Sequence, residues 1–173
     1  MSTPRGGDGG HYSSEFCELM RALRGIDFEL AYLALLTCEG IKPLSRWEKP
    51  LDESGLRLLR GTSLFVRSIR RTVEVGAQVT ETIFSRTPGY VQVYESSFGG
   101  TVIDKSADTR RLEGFLFGYP SCCVDQYIRQ PYVPNNLARE DQEILFYWAC
   151  KDCKVTPLLL REYRSAHEWI CDL

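Results

Sequence analysis

The segment 114–128, GFLFGYPSCCVDQYI, holds the most distinctive chemistry of this 173-residue chain. Two adjacent cysteines, Cys122 and Cys123, follow a Gly-Tyr-Pro-Ser turn. Ser121 suits a helix N-cap and Pro120 sets the entry to the turn, which puts both thiols in a first helical turn. Unpaired N–H groups and the positive dipole end favour an anion there, so a lowered pKa is expected for at least one of them. A thiolate of that kind serves equally as a metal ligand or as a nucleophile. The bland alternative is a pair of buried core cysteines.

A second pair, Cys150 and Cys153, forms a Cys-Lys-Asp-Cys motif expected at a helix end before a new cap. Cysteines three apart can turn both sulfurs toward one ion. The same spacing serves dithiol redox chemistry, but the βαβ context of that chemistry is missing. His167 and Cys171 lie at i and i+4 on an expected terminal helix and so share a face. They could complete the site, Cys171 as a further ligand and His167 as an acid, base or labile ligand. Equally, they could be a histidine and a tail residue near a frayed end. The candidate metal ligands are therefore Cys122, Cys123, Cys150, Cys153 and Cys171, and the candidate catalytic groups Cys122, Cys123 and His167. Tetrahedral zinc fits four such ligands, yet successive side chains leave the backbone in different directions, which is awkward for two ligands of one ion. An iron–sulfur cluster is larger, and on that ground is slightly preferred over zinc.

Tyr119, beside the cysteine pair, and three arginines in the run VRSIRR, Arg67, Arg70 and Arg71, are candidate contacts for a cofactor or small-molecule substrate. The arginines could meet a phosphate or carboxylate, although such a run more often forms a solvated face. Cys17 and Cys38 sit inside expected helices and read as core filler, since free cysteine packs as a small hydrophobe. His11 falls in a Gly-rich, polar N-terminal stretch and is set aside.

These groups need elements to hold them. Residues 1–12 are expected to be a disordered arm. Ser13 or Ser14 can cap a helix whose buried face carries Phe16, Leu19, Met20 and Leu23. A second helix is expected over 27–39, capped by Asp27, stopped by Gly40 and apolar nearly all round, hence central. Pro43 and Pro50 suggest a loop over 41–50, and 52–64 reads as helix. From Val66 the β-branched and aromatic residues, punctuated by Pro88-Gly89 and Gly99-Gly100, suggest a small antiparallel sheet that takes in Tyr90, Val91, Val93, Tyr94 and 101–103. Helix returns over 104–112, with Gly114 opening the central stretch. Asn136 is expected to cap a helix burying Ile144, Leu145 and Trp148, and Thr156-Pro157 to start a last helix reaching about Ile170. The expected fold is α+β: a helical N-terminus, a small central antiparallel sheet and a helical, cysteine-bearing C-terminus. Residues 13–173 are expected to form a single domain, with the thiol site in 114–171.

Composition narrows the partners. A net charge of −2 gives no global drive toward nucleic acid or anionic membrane. The longest apolar run is too short to span a bilayer, and the N-terminus lacks the apolar core of a signal peptide. The expectation is a cytoplasmic protein, where seven cysteines point to metal or catalysis over a disulfide framework. No phosphate loop, dinucleotide fingerprint or repeat is present.

The segment 116–124, Leu-Phe-Gly-Tyr-Pro-Ser-Cys-Cys-Val, resembles the Leu-Gly-Tyr-Pro-x-Cys-Cys-Val signature of a prokaryotic family, domain of unknown function 483, with Phe117 in place of Leu. That resemblance spans roughly 90–171 and implies cysteine-dependent chemistry or metal binding. The cysteine pair upstream of a Cys-x-x-Cys is also similar to the Cys-Cys-Gly domains of heterodisulfide-reductase-type proteins. Those domains use such cysteines for a four-iron cluster; here Val124 replaces the glycine and the gap to Cys150 is shorter. The leading expectation is a small metalloenzyme acting on a small metabolite by sulfur transfer, redox or another tailoring step. The rivals are a metal-free thiol enzyme and a structural-zinc interaction module.

Overall fold

The computed structural model describes residues 12–73 and 75–173. The chain is α+β: among the described residues, eight helices surround one three-stranded antiparallel sheet. Helix α1 (Ser14–Ile26) starts where the Phe16 N–H donates to the Ser13 hydroxyl, and α2 (Phe28–Cys38) where the Glu29 N–H donates to Asp27. Every residue of α2 from Leu30 to Thr37 is buried, so this helix is the centre of the molecule, as its apolar circumference requires. The proposed arm at 1–12 lies outside the described residues except for Tyr12. That residue is packed: its ring meets Phe16 and Trp169, and its hydroxyl donates to Glu39.

The sheet has the order β1-β3-β2. Strand β1 (Leu44–Trp47) replaces the loop expected over 41–50; it is a four-residue edge strand bracketed by the prolines that disguise it. After α3 (Glu53–Gly61), β2 (Phe65–Thr72) and β3 (Gln78–Ser85) pair along their full length. Period-two alternation sends Trp47, Val66 and Phe84 to one face, with α2, and Leu44, Ile69 and Ile83 to the other.

Two β expectations fail. Residues from Tyr90 to Tyr94 belong to α4 (Pro88–Phe98), where Val91, Tyr94 and Phe98 are buried at helical spacing and Pro88 occupies the first turn. Residues 101–103 make only one bridge, Val102 to Thr72. Helix α5 (Ala107–Leu116), capped by Ser106, runs through Gly114, which therefore closes a helix instead of opening a new stretch. After α6 (Ser121–Arg129), the helix expected from Asn136 shrinks to α7 (Arg139–Glu143), and Ile144, Leu145 and Trp148 lie beyond it. Helix α8 (Thr156–Asp172) closes the fold and packs against α2. Among the described residues, no helix is long and apolar enough to cross a membrane.

Candidate metal centre

The cysteine pair is placed by the end of α5. Gly118, at φ +74°, follows the C-cap Phe117. The Tyr119 N–H donates to the Gly114 carbonyl and the Gly118 N–H to the Phe115 carbonyl, a Schellman motif that reverses the chain. A Cβ on Gly118 would also fall 2.6 Å from Pro43 Cδ. Gly114 is tight for a different reason: a Cβ there would lie 2.5 Å from a Val124 methyl, so α5 and α6 cross closely because Gly114 has no side chain. Pro120, not Ser121, is the N-cap of α6, and no side chain caps it. Cys122 and Cys123 occupy the first turn, as expected.

Facing them is a turn in which the Cys153 N–H donates to the Cys150 carbonyl; it lies in irregular chain, not at a helix end. The Sγ atoms of Cys122, Cys123, Cys150 and Cys153 all fall within 4.8 Å of one another, and the group could hold a metal ion. Cys122 lies 4.0 Å from Cys123 and 3.6 Å from Cys153; Cys123 lies 3.8 Å from Cys150 and 3.4 Å from Cys153. Backbone amides point at the sulfurs. The Cys150 N–H donates to Cys123 Sγ at 3.3 Å, and the Thr156 N–H to Cys153 Sγ at 3.2 Å. Thr156 is not the N-cap expected of it; Val155 is. Its buried hydroxyl lies 3.1 Å from Cys153 Sγ and 2.9 Å from the Tyr147 hydroxyl. One proton per hydroxyl orders this chain: Tyr147 donates to Thr156, and Thr156 donates to the sulfur.

The expected lowering of a Cys122 or Cys123 pKa is overturned. Burial, with the neighbouring Cys153 and Cys150, pushes Cys122 up to about 11, and burial pushes Cys123 higher still. Crowded sulfurs cannot all ionise without a cation, and that outweighs the helix terminus. Cys153 goes the other way. Burial opposes its thiolate, but the hydroxyl and amide of Thr156 outweigh it and bring Cys153 down to about 7. A bound cation would invert the balance for all four, because a coordinating thiol is deprotonated outright.

Beside the sulfurs opens a cavity of about 780 Å³, with Cys123, Tyr119 and Tyr147 on its wall. Its wall also carries Arg71, a candidate contact from the sequence, together with Arg46, Glu81 and Glu113, which spacing arguments missed. Arg46 Nη1 lies 2.7 Å from Glu113 Oε1, and Arg71 Nη1 lies 3.3 Å from the same oxygen and 3.7 Å from Glu81. The Tyr94 hydroxyl ties them, donating to Glu81 at 2.9 Å and accepting from both arginines. Arg71 is 2% exposed and its Nε finds no partner.

The three arginines do not converge as a substrate patch. Arg71 faces inward to this network, Arg67 is exposed with its Nε 3.8 Å from Glu95, and Arg70 is exposed on the opposite face, since alternate residues of β2 face opposite ways. Tyr119 does line the cavity. His167 and Cys171 share a face, with Cys171 Sγ 3.8 Å from His167 Nδ1, but stand apart from the sulfur group. The helix rise of 1.5 Å per residue carries His167 roughly 16 Å along the axis from Thr156. There its ring packs edge-on against Phe28 and Tyr32. Cys17 and Cys38 are half-buried and outside the group; burial pushes Cys38 up to about 12. His11 lies outside the described residues. No family model, curated protein or solved structure matches the chain.

Proposed function

We propose that Cys122, Cys123, Cys150 and Cys153 hold one tetrahedral zinc ion, and that this centre walls a cavity in which a small polar molecule is bound and acted upon. The sulfur separations carry this reading. With Zn–S near 2.3 Å, the edge of a four-thiolate tetrahedron is about 3.8 Å; four of the six separations here run from 3.4 to 4.0 Å and all six lie within 4.8 Å. An iron–sulfur cluster sets an inorganic core between its thiolates and spreads them farther apart, so one ion fits better than the cluster that residue order favoured. Four sulfurs leave no open position, which assigns the metal a structural role and leaves binding and chemistry to the cavity. There the ion-paired Arg46, Arg71, Glu81 and Glu113 match a polar ligand, and Tyr119 and Tyr147 an apolar portion of it.

The test is metal and acid-labile sulfide content of protein purified without a metal-affinity column. Zinc near one per chain is expected, lost in Cys150→Ser and kept in Cys171→Ser. Iron with sulfide would replace the reading by a cluster. Metal-free protein would favour thiol catalysis, for which the low Cys153 pKa and its 3.4 Å approach to Cys123 are the supporting observations.

A further inference from the structure

Lys42 stands out among the buried charged groups of the described residues. It is 2% exposed, and no carboxylate partners it; its Nζ donates one hydrogen bond, to the Phe117 carbonyl at 3.2 Å. Its backbone is fixed on both sides. The Lys42 N–H donates to Leu36 at the end of α2, and the next residue is the Pro43 that packs under Gly118. Three rings surround the amine, with centroids 4.6 Å (Tyr119), 5.2 Å (Phe146) and 5.6 Å (Phe117) away. A cavity of about 250 Å³ reaches it, and its mouth carries the exposed carboxylates of Glu29 and Glu48. A structural lysine has little reason to sit where water can hardly solvate it and no anion balances it. A nucleophilic lysine needs such a place, because a desolvated amine beside another cation stays neutral and keeps its lone pair.

We propose that Lys42 is a nucleophilic amine that forms an imine with a small aldehyde or ketone entering this cavity. The Nζ lone pair forms the C–N bond as the carbonyl π electrons move to oxygen. Proton transfer through water gives the carbinolamine. Loss of that oxygen as water, with one proton taken from solvent at the mouth, leaves the protonated imine; nothing is oxidised or reduced. Arg46 of β1 lines the same wall, but its Nη atoms are held at 2.7 Å by Glu48 and Glu113, and with Glu29 and Glu48 at the mouth this favours an uncharged carbonyl compound. The charged and titratable groups facing the amine agree with this role. Burial and then the Arg46 charge bring Lys42 down to about 7, while Glu29, Glu48 and Lys49 lie at the rim and burial keeps the Tyr119 phenol protonated.

This inference does not depend on the metal. Protein of measured metal content is incubated with pyruvate, or with neutral dihydroxyacetone, and reduced with sodium borohydride; labelled lysines are then mapped. Lys105, Lys151 and Lys154 serve as internal references, being exposed in the same molecule and outside this cavity. The expected result is Lys42 labelled at least ten-fold faster than any of them by one probe or both. The rate should rise with pH to a plateau just above 7, the free amine being the base form. Lys42→Arg, with unchanged circular dichroism, should abolish the label. Uniform labelling, no label on Lys42, or a rate still climbing toward pH 10 overturns the proposal. Since the mapping is done on the native chain, a variant that fails to fold does not blunt the test, and a negative result leaves the four-thiolate centre standing.

Discussion

At the scale of single residues, the hydroxyl of Thr156 decides how well Cys153 can serve as a ligand. It is the last link of the Tyr147–Thr156–Cys153 chain, and with the Thr156 amide it offsets the burial that opposes the thiolate. Thr156→Val keeps the shape and the amide but removes the hydroxyl proton and leaves the Tyr147 hydroxyl without its acceptor. Outer hydrogen bonds of this kind are worth about 10–100-fold in metal affinity. Thr156→Val is therefore expected to weaken zinc binding by about that factor in a competition titration with a chromophoric chelator; unchanged affinity would show that the hydroxyl does not serve the sulfur. The four cysteines were legible in the sequence because they are one ligand type and come in two close pairs. Thr156 was legible only as a helix start, since Thr-Pro looks the same whether the hydroxyl caps a helix or supports a sulfur. Lys42, Arg46 and Glu113 gave no signal, because each stands alone in sequence and only the fold gathers them.

Among the elements, the hinge between α5 and α6 positions both the metal centre and the Lys42 cavity. The Phe117 carbonyl accepts from Lys42, Gly118 turns the chain and Cys122 begins the sulfur group. Gly118→Ala places a side chain in the left-handed region and drives its Cβ toward Pro43. A residue strained in this way costs about 1–3 kcal/mol, which for a chain of this size is a fall in Tm of roughly 2–12 °C. A calorimetric scan of the zinc-loaded variant checks this; an unchanged Tm would mean that the turn relaxes without cost. The Gly-Tyr-Pro turn was visible in the sequence, as were the helix starts at Ser13, Asp27 and Thr156-Pro157. Strand β1 and helix α4 were not. Four residues between two prolines carry too little pattern to announce an edge strand. In α4, the valines and tyrosines suggest a strand by type, whereas the spacing of Val91, Tyr94 and Phe98 is helical, and packing against β2 and β3 follows the spacing.

The molecule as a whole is unevenly braced. Helices α1, α2 and α8 and the sheet are joined by a continuous apolar core around Leu30, Leu35, Phe84 and Tyr163. The segment 130–155 has only the five residues of α7 as regular structure. Leu145, Tyr147 and Ala149 reach that core from it, and the rest is held by individual bonds: Asn135 to Gln142 and the Ala149 carbonyl, Gln142 to the Tyr147 carbonyl, Trp148 to the Val133 carbonyl, and the sulfurs at its end. A segment with few backbone bonds opens at lower free energy than the global fold. A metal joining it to α6 supplies folding free energy directly. Chelation at pH 7 is therefore expected to speed amide exchange at least ten-fold across 121–155, about 1.4 kcal/mol of lost local protection, while α2 and β3 keep theirs. Acid should do the same, since protons compete with the metal for the thiolates as pH falls. Hydrogen exchange read by mass spectrometry, with and without a zinc chelator, separates the outcomes. Loosening confined to 121–155 identifies the centre as a staple for one wall of the cavity. Loosening of the whole chain would make the metal part of the global core, and no change would leave the four sulfurs without a structural role.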